Sequence, residues 1–151
     1  VLVVIHTPTL DVLLIERADK PGYWQSVTGS KDAADEPLVQ TCEREVAEET
    51  SIVIGSAAVP RTALRDWGLQ NVYEIYPVWR HRYAPGTTHN TEHVFGLELP
   101  APVPVTLAAH EHLQAVWLPW REAAARCFSW SNREAIEMLP QRTRSSPRSS
   151  T

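Results

Sequence analysis

The sequence predicts one α/β (α+β) domain, a mixed β-sheet with helices packed on it. Two observations carry that expectation. Short apolar stretches suited to strands are interspersed with helical stretches, and several of the strands are separated by links of hairpin length. The chain of 151 residues is long enough to bury a real core, yet its length argues for a single domain.

Residues 1–5, Val-Leu-Val-Val-Ile, read as a buried strand broken by Thr7-Pro8-Thr9. Residues 12–15 read as its neighbour, ending in Glu16-Arg17, and Asp-Lys-Pro-Gly at 19–22 is a turn by composition. Residues 24–29 are short and extended, with Gly29 opening a loop that runs to Asp35. A helix over 37–50 follows, capped by Asp35 or Glu36 with Pro37 in its first turn. Residues 52–55, Ile-Val-Ile-Gly, read as the next strand. A long β pair is expected over 72–83 and 92–99. Within its first strand Arg80 and Arg82 share one face, and Pro77 marks an edge or a bulge. Residues 115–118 read as a last strand and 119–127 as a short helix. Ser131-Asn132-Arg133-Glu134 reads as a capping box opening a final helix that ends at Leu139. The domain is therefore expected over 1–139, with a disordered Ser/Arg-rich tail over 140–151.

The net charge of -4 argues against a duplex nucleic acid partner, which favours a basic face. No run approaches the ~18 apolar residues of a membrane span, so neither a membrane partner nor a membrane location is expected. The two cysteines, Cys42 and Cys127, have no CxxC spacing and are expected as buried thiols in a reducing, cytoplasmic compartment.

Acids concentrate on the helix over 37–50. Glu45, Glu48 and Glu49 lie at i, i+3 and i+4 and project from one side, within a wedge of about 100°. Leu38, Cys42 and Val46 form an apolar stripe that overlaps the edge of this wedge. Like charges at that spacing repel. The cluster is either a solvated acidic edge or a site for a hard divalent cation held by oxygen ligands.

Gly29, Glu36 and the run Arg44-Glu45-Val46-Ala47-Glu48-Glu49-Thr50-Ser51-Ile52 resemble the Nudix box of nucleoside-diphosphate-linked hydrolases. That box reads G-x5-E-x7-R-E-U-x-E-E-x-G-U, with U apolar. Two departures stand out: Ser51 replaces the usual glycine, and six residues separate Gly29 from Glu36 instead of five. Asp35 would keep the first spacing but displace Arg44, so Glu36 is taken as the box glutamate. Residues 24–29, 80–86, 90–92 and 129–133 resemble a bacterial branch of the family that serves folate biosynthesis, removing pyrophosphate from a pterin triphosphate.

The resemblance implies the Nudix fold, a mixed sheet sandwiched between helices, with Mg²⁺ at the acidic helix and Mn²⁺ as a substitute. It implies Glu45 and Glu49 as the firmest metal ligands and Glu111 as a ligand completing the site. Glu48 is a further ligand or the base that orients water, so Glu48, Glu49 and Arg44 form the expected catalytic set. Arg44 is expected to pair with Glu36 and brace the helix against its loop. Arg17, Thr28, the strand Tyr73-Glu74-Ile75-Tyr76 and Ser129 match substrate-binding positions.

The residues fit that chemistry independently. Water attack on a phosphoanhydride needs neutralised phosphate charge and a positioned nucleophile. The His110-Glu111-His112 spacing fits neither HExxH nor a Cys/His zinc site. Arg80 and Arg82 either attract the triphosphate or line an exposed strand face. Three readings follow: a small-molecule pterin triphosphate pyrophosphohydrolase, a pyrophosphohydrolase of nucleoside triphosphates such as dATP, and a Nudix-fold domain that holds a nucleotide without cleaving it.

Overall fold

The computed structural model describes residues 1–74, 89–108 and 110–144. The apolar opening forms β1 (Leu2–His6), which turns back through Leu10 into β2 (Asp11–Arg17). The extended stretch that follows is not one strand. It divides into β3 (Trp24–Gln25), paired with β2, and β4 (Val27–Thr28), paired with β1. Ser26 sits at the division, where its N–H donates to Asn132 Oδ1 at 2.8 Å while Asn132 Nδ2 donates to Ser26 Oγ at 2.9 Å.

Helix α1 (Leu38–Thr50) carries the acids. A short 3₁₀ turn (Arg61–Ala63) then leads into β5 (Leu64–Glu74), antiparallel to β6 (His89–Glu98). Strand β6 lies parallel to β1, while β7 (His112–Pro119) is antiparallel to β2, so the sheet is mixed as the sequence predicts. Helices α2 (Trp120–Arg126), α3 (Trp130–Glu137) and α4 (Leu139–Arg144) end the described chain.

Strand alternation builds the two layers. Val3, Ile5, Leu13 and Ile15 point toward α1 and pack with Cys42 and Val46. Leu2, Val4, Val12 and Leu14 point the other way, onto Ala123, Ala124, Ala135 and Ile136 of α2 and α3. Both sheet faces are thus covered, with α1 on the side opposite α2 and α3. Cys42 and Cys127 are buried free thiols. Among the described residues no helix is long and apolar enough to cross a membrane.

Several expectations are corrected. Residues 52–55 do not form a strand. Ile52 and Ile54 are buried with Val53 exposed between them, but the segment is a loop turned by Gly55 at φ 98. Strand β5 begins at Leu64, not at 72, and its pairing slips between Asp66 and Leu69, where Gly68 takes φ 67. Ser131 does not cap the last helix: Ser129 precedes α3, and Ser131 lies buried inside it. The chain stays helical to Arg144, past the expected start of the tail. Pro77, Arg80 and Arg82 lie outside the described residues.

Candidate active site

A loop and a single arginine fix the acidic helix. Pro37 occupies its N-cap without a side-chain cap bond, so neither Asp35 nor Glu36 caps it. Glu36 instead turns inward. Its Oε1 accepts from Thr41 Oγ1 at 2.7 Å, from Asp32 N–H at 3.0 Å and from Arg44 Nη2 at 2.9 Å, while its Oε2 accepts from Arg44 Nε at 3.2 Å. Arg44 also donates to Ser30 O at 2.8 Å and meets Glu45 Oε1 at 2.5 Å. The guanidinium beside Glu36, aided by Thr41, holds its carboxyl down at about 2, and Glu36 in turn raises Arg44. Asp35 is exposed, so the extra residue before the box glutamate is absorbed in the loop.

Two further positions shape the helix ends. A Cβ on Gly29 would overlap the Glu45 carboxyl, so the glycine is needed for close approach. Ser51 closes α1 at φ 67, the left-handed conformation that explains why glycine is usual there. Its Oγ donates to Thr106 O at 3.0 Å.

Glu45, Glu49 and Glu111 line one cleft of about 370 Å³, together with Arg17 and Thr28 from the ends of β2 and β4. Glu111 sits on the turn just before β7. Glu49 is 3% exposed, and its Oε1 has no hydrogen-bond partner among the described residues. His112 Nε2 lies 3.6 Å from that oxygen, but burial lowers the pKa of His112 and disfavours the cation that could compensate it. Burial, then Glu45, then Glu111 push Glu49 well above the ordinary carboxylate range, with only the Thr28 backbone amide pulling it down.

The acids beside it, Glu45 and Glu111, offer oxygen donors. A hard divalent cation fits that donor set. Among the described residues no three side chains already stand at metal-holding distance.

The NUDIX domain model matches residues 1–139. This chain belongs to the Nudix family. It is 44% identical over 140 residues to the dihydroneopterin triphosphate diphosphatase of Escherichia coli K12, covering 92% of this chain and 89% of that protein. A protein of the same name from Haemophilus influenzae is 39% identical over 138 residues, 91% of this chain and 84% of its own. The solved E. coli dihydroneopterin triphosphate pyrophosphohydrolase superposes with a TM-score of 0.75 at 44% identity, over 91% of both chains. Nudix hydrolases generally use divalent metals.

The other expected Nudix site residues are less closely gathered. The Glu48 side chain is 57% exposed, 3.7 Å from Arg44, and does not line the cleft. Tyr73 and Glu74 pair with Asn90 and His89 at the end of β5, and Ile75 and Tyr76 lie outside the described residues. Ser129 Oγ meets Ser131 Oγ at 3.1 Å, and Ser131 donates to Glu92 Oε1 at 2.9 Å. Glu92 lines a second cleft of about 860 Å³ that shares Arg17 and Thr28 with the first. Ser129 is therefore linked to that second space through Ser131. Sequence reasoning overlooked Gln25 and Asp19, both in the acidic cleft. For Asp19 a signal existed, an acid two residues beyond an arginine in a tight turn.

Proposed function

We propose that this chain is a Mg²⁺-dependent pyrophosphohydrolase that cleaves dihydroneopterin triphosphate to dihydroneopterin monophosphate and pyrophosphate, a step of folate biosynthesis. The 44% identity to the E. coli dihydroneopterin triphosphate diphosphatase, over nine-tenths of the chain, carries this reading. The cleft supports it. Glu45, Glu49 and Glu111 would hold the cation, with Mn²⁺ able to replace Mg²⁺, and Arg17 and Thr28 would bind the phosphates. When bound, the cation supplies neutralisation of phosphate charge and polarisation of the attacking water.

Arg44 pairs with both Glu36 and Glu45, which leaves the second Glu45 oxygen to serve as a ligand. Glu48 stands one residue from Glu49 on the solvent side of the same edge, and we assign it to orient the water and take its proton. We assign Ser129, linked through Ser131 to Glu92 of the second cleft, to the end of the site that receives the ring.

The test is pyrophosphate release, with Mg²⁺, from dihydroneopterin triphosphate and from dATP. Faster turnover of the pterin is expected. Faster turnover of dATP would reassign the enzyme to nucleoside triphosphates, and no turnover of either would make the chain a binding domain.

A further inference from the structure

Arg17 already has an anionic partner. Its Nε donates to Asp19 Oδ1 at 2.8 Å and its Nη2 to Asp19 Oδ2 at 2.6 Å, the two-point fork that a phosphate would use. The guanidinium also lies 5.7 Å from the Phe128 ring centroid, over the ring face.

The turn carrying Asp19 is tied down on several sides. Arg17 N–H donates to Tyr23 O at 2.9 Å, and Gly22 N–H to Glu16 Oε2 at 2.7 Å. Gln114 Nε2 holds the other Glu16 oxygen at 2.8 Å. Ala18 N–H donates to Glu111 O at 2.9 Å, which links the turn to the loop of an expected metal ligand. Asp19 and Arg17 thus meet at the rim of the cleft, and both line it.

We propose that Asp19 is a positioning residue that fills the phosphate fork of Arg17 between turnovers and is displaced by the incoming polyphosphate. This rests on the assignment of Arg17 as a phosphate contact given above. The side chains are 32% and 60% exposed, so water and salt screen the pair. A polyphosphate brings more charge and more oxygens than one carboxylate, and it can take the fork. As product leaves, Asp19 returns to Arg17 and competes against rebinding.

Inorganic tripolyphosphate is the probe, titrated calorimetrically with Ca²⁺ in place of Mg²⁺. Asp19→Asn is expected to tighten binding about two- to fivefold, the size of an exposed ion pair. Asp19→Ser, which also removes the carboxylate, should match it. In the Arg17→Lys background, which keeps the charge but loses the fork, Asp19→Asn is expected to change little. Equal tightening in both backgrounds would make Asp19 a mere like charge and overturn the proposal. Unchanged or weaker binding in the Arg17 background, or no binding by the unaltered protein, would overturn it too. The probe has no ring, so this result and the choice of pterin as substrate fail separately.

Discussion

Glu36 and Glu49 are both buried carboxylates at the acidic helix, and their surroundings are opposite. Glu36 accepts from Thr41, Asp32 and Arg44, and its pKa falls to about 2. Glu49 has an oxygen with no donor among the described residues and faces two more acids, and its pKa rises. A buried charge with all its partners present is part of the scaffold, while one without them is held ready for something that has yet to bind. Glu36 stands just before the helix and Glu49 in its last turn, so the two surroundings mark its two ends.

The comparison can be broken most sharply at Glu49. Glu49→Gln is expected to lower the rate of pyrophosphate release at least about a hundredfold, since a ligand should matter no less than its supports. It should leave the thermal midpoint at pH 7 no lower, because a neutral amide replaces a group that must take up a proton to be buried. Activity near that of the unaltered protein at saturating Mg²⁺ would remove Glu49 from the metal site.

Glu36→Gln should give the reverse pattern: a thermal midpoint lower by several degrees at pH 7, with a smaller loss of activity, about tenfold. Its acid dependence has a definite sign. The folded pKa is about 2 against 4.5 for the free group, so the stabilisation is present above 4.5 and disappears as the pH falls toward 2. The gap between variant and unaltered protein should close over that window. For Glu49 the raised pKa means that stability is greatest below 4.5 and declines as the pH rises. Midpoints measured against pH in a chelator, with each variant, would separate the two slopes.

Glu111 tests the reach of the site. Glu111→Ala should raise the Mg²⁺ concentration for half-maximal activity by about tenfold, and an unchanged titration would return it to an ordinary loop acid. The smallest effect concerns the scaffold alone. Ser51→Gly relieves φ 67 but loses the bond to Thr106, so denaturant unfolding should show a gain of no more than about 1 kcal/mol.

Much of this was legible from residue order. The apolar runs at 1–5 and 12–15 were legible as neighbouring strands, and the distance from Glu36 to Arg44 chose Glu36 over Asp35 as its partner. What failed was context. Ile52-Val53-Ile54 has the buried–exposed–buried rhythm of a strand, yet nothing pairs with it among the described residues, and it serves as an apolar plug beneath α1. Ser131-Asn132 looked like a cap because the side-chain types were right, while their actual partners, Glu92 and Ser26, lie 39 and 106 residues away. Glu48 followed the helical spacing, which does not encode that its side chain stays 57% exposed and 3.7 Å from Arg44. Asp19 was passed over because the turn composition at 19–22 already accounted for it, although its spacing from Arg17 was there to be read.

The Asn132 amide performs a task that normally belongs to a neighbouring strand. Where β3 hands over to β4, the Ser26 peptide N–H is left to a side chain from the layer behind the sheet. Gln25 and Thr28, one on each side of that seam, help to line the acidic cleft. The far layer thus acts as a bolt through the sheet, fastened at the seam whose flanking residues line the cleft.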